Sequence, residues 1–379
     1  MLAFANALSS SPTREQEYTF IVREDTVEWI RPFIFGPCRL ATVPESTLRR
    51  RLRVLKPLHH IWLRLNAIKA VRLPKSSGFV ESNSFDLVHF PTQDAYLTEL
   101  PSIYQPWDLQ HSHHPEFFSK TEVTLRDRFY SAFCQRARYV CVQTNWGKRD
   151  LVENLQVPSE KIEVIGWGSV LEAYKTPSAV AVGATAKKYR LPSQFFFYPA
   201  VTWPHKNHEV IIRALGILKR QHARSVDVYF SGLCNHFRAH LDALALDLRV
   251  SERVHFLGFI PAEELQSLFA QATALVFASK FEGFGLPILE SFQSRLPVLC
   301  SNATVLPEVA QDGALYFDPD SPTELAGRMK QILDDVELRK RLVEQGLRVL
   351  SRYSIKDTAA RFQALYERTA ARSSRYAGV

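Results

Sequence analysis

Nowhere in the 379 residues does an apolar run approach the roughly eighteen that a membrane-spanning helix needs, which argues against a helical membrane-spanning protein. Metal and redox spacing is missing too. The five cysteines, Cys38, Cys134, Cys141, Cys234 and Cys300, are scattered and odd in number, a pattern expected of reduced thiols in a cytoplasmic protein. The opening Met1-Leu-Ala-Phe-Ala-Asn-Ala-Leu-Ser-Ser lacks a positively charged start and has too short an apolar part for a signal peptide. It reads as the end of an amphipathic helix. Acidic residues are absent between Ser46 and Val80, where Arg49, Arg50, Arg51, Arg53, Lys56, Arg64, Lys69, Arg72 and Lys75 alternate with Leu52, Leu55, Ile61, Trp62 and Leu65. That pattern is a basic amphipathic helix, either a docking face for anionic lipid or an ordinary solvated face. No nucleic-acid module accompanies it, so nucleic acid is not an expected partner.

The net charge of +8 is spread over both halves, and the apolar and charged fractions, 46% and 23%, are those of a soluble globular protein. The chain is long enough for two α/β domains, since single cores stop growing at about 250–300 residues. Short apolar runs such as Glu17–Arg23, Phe85–Pro91, Tyr139–Gln143, Phe195–Val201, Asp227–Ser231 and Leu315–Pro319 read as strands. Helical stretches alternate with them, as in a parallel, doubly wound sheet. Residues 1–172 are expected to form one domain and 173–353 a second. A linker is expected at Glu172–Lys188, and the striped segment 354–379 should pack back on the first domain.

The most informative stretch runs from Ala274 to Phe292. An apolar strand breaks at Gly283-Phe284-Gly285-Leu286 and resumes as a helix with Pro287 in its first turn, where a missing N–H costs nothing. Glycines there let backbone amides approach a ligand, and the helix dipole favours an anion. Glu282 and Glu290 flank this anion site. Carboxylates would repel a phosphate, so they are better suited to accept hydrogen bonds from hydroxyls beside it, as in a nucleotide-sugar. Lys206, in the strand-to-helix loop Trp203-Pro-His-Lys206-Asn207-His208, stands where open α/β folds bind ligands and offers a compact charge for a diphosphate. His111, His113 and His114 lack the spacing of a metal site, and no metal is expected there.

Two glutamates around Gly-Phe-Gly-Leu-Pro, together with Lys206-Asn207, resemble the signature of the family-four retaining glycosyltransferases of the glycosyltransferase group 1, which have the GT-B fold. The resemblance implies an α/β protein of two Rossmann-like doubly wound domains facing a cleft, working without a metal cofactor. It implies that Glu282 faces the donor sugar, that Gly283, Phe284, Gly285 and Leu286 meet sugar and diphosphate, and that Glu290 holds the ribose. By the same resemblance Lys206 would bind the diphosphate, Gly232 would approach the phosphates, and Gly258-Phe259 would contact the base. Three departures stand out. Nothing corresponds to the family's first strand and glycine-rich loop. The arginine of its Gly-Arg pair is replaced at Pro199-Ala200. Its His-Asp-Leu triplet is here Trp107-Asp108-Leu109, so His111 is the expected replacement for the missing histidine, with Asp108 beside it.

The expected reaction is transfer of a hexose, with mannose as the first guess, from a GDP- or UDP-linked donor to an acceptor hydroxyl with retention. The acceptor would be a glycan or lipid-linked intermediate in lipopolysaccharide or exopolysaccharide assembly. The setting expected is the cytoplasm, with peripheral contact to the inner face of an anionic membrane. The alternatives are an inactive relative that binds nucleotide-sugar without transfer, and a nucleotide-sugar epimerase of the same fold.

Overall fold

A computed structural model describes residues 2–11, 15–24, 27–43, 73–173 and 176–371. Residues 46–72 of the basic segment therefore lie outside the described residues. The chain divides into two compact units, one made of 1–166 with 355–379 and the other of 167–354. The division falls at the glycine turn Gly166-Trp167-Gly168, ahead of the boundary expected at 172. No helix among the described residues is long and apolar enough to cross a membrane.

The first unit contains β1 (Tyr18–Arg23), β2 (Cys38–Val43), β3 (Val88–Phe90), β4 (Ser102–Tyr104), β5 (Tyr139–Val142) and β6 (Ile162–Val164). β1 and β2 pair in parallel, with Tyr18 opposite Cys38. β3 to β6 form a separate parallel sheet in chain order. Among the described residues no strand joins the two sheets. The helix Ile355–Ala371 spans that interruption. Its Phe362 ring lies 5.1 Å from Phe4 and 5.0 Å from His89 on β3, and its Tyr366 ring lies 6.0 Å from Tyr18 on β1. The stripe Ile355, Ala359, Phe362, Leu365 and Tyr366 is buried throughout. Burial of these apolar surfaces, at about 25 cal/mol per Å², is what ties the two sheets to one core.

The second unit holds β7 (Phe195–Pro199), β8 (Asp227–Ser231), β9 (Val254–Phe256), β10 (Ala274–Phe277), β11 (Val298–Ser301) and β12 (Ala314–Phe317). They form one parallel sheet in the order β12-β11-β10-β7-β8-β9. Phe195, Phe196, Phe197 and Tyr198 are all enclosed, as are Ala274 to Phe277, because a central parallel strand is covered on both faces and needs an unbroken apolar run. The order reverses between β7 and β10, which are neighbours. At such a switch point the loops leaving the two strands diverge to opposite faces and open a crevice at the carboxyl edge.

One expectation is corrected, and one helix goes beyond the sequence reading. The stretch Glu172–Lys188 is not simply a linker, because Ala179–Tyr189 is a helix with Ser178 as its N-cap, its hydroxyl accepting from the Ala181 amide at 3.2 Å. Its alanine content favours helix more than its irregular pattern disfavours it. The long helix Lys120–Arg136 was not foreseen, although Ser119 and Glu122 form a capping box legible in the sequence.

Candidate functional site

The loops after β7 and β10 carry the charged residues. Tyr198 closes the β7 core, and its hydroxyl donates to the Lys206 carbonyl at 3.0 Å, fixing the loop that presents Lys206. Asn207 takes a left-handed conformation (φ +56°) and donates to the Pro319 carbonyl at 2.8 Å, which anchors the other end. After β10, the Ser279 hydroxyl makes contacts to the carbonyls of His205 at 3.2 Å and Phe281 at 3.0 Å, and the Lys280 amide donates to His205 at 2.8 Å. These bonds lock the two loops together. Lys206 Nζ meets Glu282 Oε1 at 2.5 Å, with both side chains mostly covered (22% and 14% exposed).

Gly285 adopts φ +102° at the N-cap of the helix Leu286–Gln293, and a Cβ there would lie 3.0 Å from Leu306 and 3.3 Å from Ile288. Only glycine fits comfortably. Among the described residues the amides of Gly283, Phe284 and Gly285 donate to no protein group, leaving a row of N–H donors at the positive end of the helix. The Glu282 amide donates to Thr304 Oγ1 at 3.3 Å, which holds the loop from the β11 side. Glu290, on the same helix, is 8% exposed, and its carboxyl accepts no hydrogen bond among the described residues. Burial pushes its pKa up to about 7.

Other expected site residues fare differently. Phe284 is buried with its ring 5.8 Å from Tyr353, so its side chain belongs to the core. Leu286 begins the helix and is half-buried. Gly232 also has a packing role within the protein. Its amide donates to the Gly258 carbonyl at 2.8 Å, and a Cβ at its φ of +126° would come within 2.8 Å of the Ala200 backbone. Gly258 has φ +69° and open space around it, and Phe259 beside it is 80% exposed, so this loop is accessible.

In the first unit, the structure corrects the role expected of His111. Its side chain has no exposed surface, being enclosed by Tyr130 (ring distance 5.0 Å) and Phe118 (6.5 Å), with Nε2 3.1 Å from Asp127 Oδ1. Burial lowers its pKa, against the pull of Asp127. No face is left for a sugar, and His111 acts as a core histidine. The three neighbouring histidines also part company, since His113 pairs with Asp150 at 2.6 Å and His114 with Glu116 at 2.9 Å. Asp108 Oδ1 accepts from the Gln110 amide at 3.1 Å and shapes the turn after β4. Tyr198, Ser279 and Thr304, which build the charged site, carried little signal beyond a small or polar residue at a strand end. The contacts that make them matter are between loops far apart in sequence.

Residues 186–349 match the family model described as Glycosyl transferases group 1. Over 247 residues the chain is 27% identical to O-antigen chain mannosyltransferase B of Escherichia coli, covering 63% of either protein. Over 198 residues it is 29% identical to the O-antigen chain mannosyltransferase RfbU of Salmonella typhimurium, covering 52% of each. The chain thus spans about half to two thirds of the length of these relatives. Among solved structures, Anabaena HepE in complex with UDP and glucose superposes with a TM-score of 0.69 over 97% of this chain and 94% of that one, at 16% identity. WaaG, a glycosyltransferase involved in lipopolysaccharide biosynthesis, superposes with a TM-score of 0.66 over 95% and 93%, at 17% identity. These neighbours share the GT-B fold of Rossmann-like domains, and the segment 186–349 of this chain is similar to the group 1 glycosyltransferases.

Proposed function

We propose that the chain is a retaining glycosyltransferase that moves a hexose, mannose foremost, from a GDP- or UDP-linked donor to an acceptor hydroxyl in surface polysaccharide assembly. The carrying observation is the constellation at the switch point of the second unit. There the Lys206–Glu282 pair lies on the two diverging loops, with unengaged amides at Gly283 to Gly285 and the partnerless carboxyl of Glu290. Mannosyltransferase relatives support the sugar, and a neighbour complexed with UDP and glucose supports a nucleotide-sugar donor.

In this reading Glu290 accepts from the ribose hydroxyls, while the amides of the loop and Lys206 hold the diphosphate. The bond from the anomeric carbon to the phosphate oxygen breaks as the acceptor oxygen bonds to the same face of that carbon. The acceptor proton passes to the departing phosphate oxygen. Glu282 releases Lys206 to the phosphate and orients the sugar through its hydroxyls. The charge stabilisation comes from Lys206 and the oriented amides, which asks for no metal cofactor. Contact of the basic segment Ser46–Val80 with anionic lipid at the inner membrane face would bring the enzyme to a lipid-linked acceptor.

The test is incubation with GDP-mannose or UDP-glucose and an oligosaccharide or lipid-linked acceptor, followed by mass spectrometry and anomeric NMR. A hexose-extended product with the donor's configuration is expected. An inverted product ends the retaining mechanism, and an epimerised nucleotide-sugar formed from donor alone replaces transfer with epimerisation. In the same assay Lys206→Ala should lower kcat by roughly two to three orders of magnitude, the range for losing one preorganised charge donor. Its affinity for the nucleoside diphosphate, read by calorimetry, should change far less. Undiminished turnover removes Lys206 from the mechanism.

A further inference from the structure

Within the first unit, beside the amino ends of β4 and β5, lies a cavity of about 400 Å³. Small-molecule sites are ordinarily roughly 300–1,000 Å³, so the space suits a small ligand. It lies at the sheet edge opposite the one where open α/β folds bind ligands, and the site of the second unit does not account for it. Phe90, Tyr104 and Phe133 form an enclosed apolar floor, and Leu97 and Leu100 stand half-buried along the wall.

The walls are fastened without any ligand. The Leu97 amide donates to the Pro74 carbonyl and the Ser76 amide returns to the Leu97 carbonyl, each at 2.8 Å. The Thr98 hydroxyl donates to the Glu81 carboxylate at 2.7 Å, and the Ser76 hydroxyl donates to its other oxygen at 2.6 Å. Opposite this loop, the Arg138 amide donates to the Ser102 carbonyl at 2.7 Å, and its guanidinium is spent on the Thr369 carbonyl at 2.5 Å. Below, the Tyr104 hydroxyl donates to the Gln93 carbonyl at 2.9 Å. A loop tied at this many points keeps the cavity open.

Two charged side chains line the cavity and stay exposed, Arg136 in the last turn of the helix Lys120–Arg136 and Glu99 on the tied loop. Among the described residues neither side chain has a hydrogen-bond or ion-pair partner, and they do not pair with each other. The helix dipole accounts for a cation at that terminus, but not for a carboxylate lining the same space. A simple anion would meet repulsion from Glu99, and a simple cation would meet it from Arg136. A ligand carrying both charges satisfies both, its carboxylate on the planar Arg136 fork, its ammonium on Glu99 and its apolar body over Leu97 and Leu100.

We infer that this cavity is a second ligand site, separate from the sugar chemistry, that takes an apolar α-amino acid in its zwitterionic form. The inference stands whether or not the chain transfers a sugar.

The experiment is titration calorimetry on the full chain with L-phenylalanine and L-leucine, set against hydrocinnamate, which lacks the ammonium, and phenethylamine, which lacks the carboxylate. L-Phenylalanine should bind roughly tenfold tighter than either truncated analogue, the loss expected for one charged contact at a partly exposed site. Arg136→Gln should weaken L-phenylalanine by a similar factor and leave phenethylamine unchanged. Glu99→Gln should weaken L-phenylalanine likewise and leave hydrocinnamate unchanged. Both substitutions fall on exposed side chains without partners, so the ligand-free variants should keep the parent's thermal midpoint. Absence of binding by both amino acids overturns the site. Equal affinity for L-phenylalanine and either analogue overturns the zwitterion, and binding indifferent to both substitutions places the ligand elsewhere and overturns the assignment to this cavity.

Discussion

Among the described residues each unit has six strands, yet they are used in opposite ways. In the unit 167–354 the six are joined edge to edge around a single switch point, where Lys206 and Glu282 are held partly accessible and Glu290 is nearly enclosed. In the other unit the six are divided between sheets of two and four, a terminal helix bridges them, and the most suggestive polar side chain, His111, is sealed inside. What projects from its carboxyl edge is an aromatic ring. The difference teaches that one unit keeps an ion pair and unengaged backbone amides at its sheet edge, whereas the other turns the half-exposed ring of Trp107 outward after β4.

The comparison is broken most severely by altering the junction of loops that keeps the charged site in place. Gly232→Ala forces a Cβ to within 2.8 Å of the Ala200 backbone at φ +126°, so the β7 and β8 loops must separate. Strain and overpacking together should cost about 2–4 kcal/mol, read as a lower urea midpoint with a similar slope. If Gly232 instead served only a phosphate, stability would be unchanged and nucleotide affinity alone would fall.

Glu290→Gln is expected to move stability and binding in opposite directions. The carboxyl titrates at about 7 in the folded protein against an ordinary 4.5, so the folded state holds its proton more tightly. This contribution is fully present below about 4.5 and is lost as pH rises through 7. An uncharged amide removes that loss, so Glu290→Gln should gain on the order of 2–3 kcal/mol relative to the parent at alkaline pH and little at pH 4. Nucleotide binding should weaken, because the amide is a poorer acceptor for ribose hydroxyls. Thermal unfolding from pH 4 to 8 with parallel calorimetry checks both. A parental pH profile would show that Glu290 is ionised without cost, and equal nucleotide affinity would remove it from the site.

The smallest effect is expected in the first unit. His111→Phe keeps the ring packed between Tyr130 and Phe118 and loses only the approach to Asp127, so about 1 kcal/mol of stability should go and turnover per folded molecule should stay. A large fall in kcat with the fold intact would return His111 to the chemistry and erase the contrast between the units.

Much of the candidate site is legible in the residues themselves. The run Glu282-Gly-Phe-Gly-Leu-Pro-Ile-Leu-Glu290 carries its own instructions, because glycines, a first-turn proline and apolar flanks dictate strand, turn and helix through local sterics. The buried strands Phe195–Tyr198 and Ala274–Phe277 are equally plain, since only a sheet covered on both faces hides such runs. The helix 179–189 and the capped helix Lys120–Arg136 were harder, their apolar periodicity being weak.

The sequence by itself determined the elements, their α/β alternation and the chemistry of the loop around Glu282, all of which follow from residue type and short spacing. Tertiary structure alone decided which polar groups stay available. Lys206 and Glu282 become partners because the strands before them are neighbours in the sheet, Gly232 spends its amide on Gly258, and His111 loses its surface to Tyr130 and Phe118. Availability depends on what packs against a group from distant parts of the chain, and spacing along the chain does not contain that information.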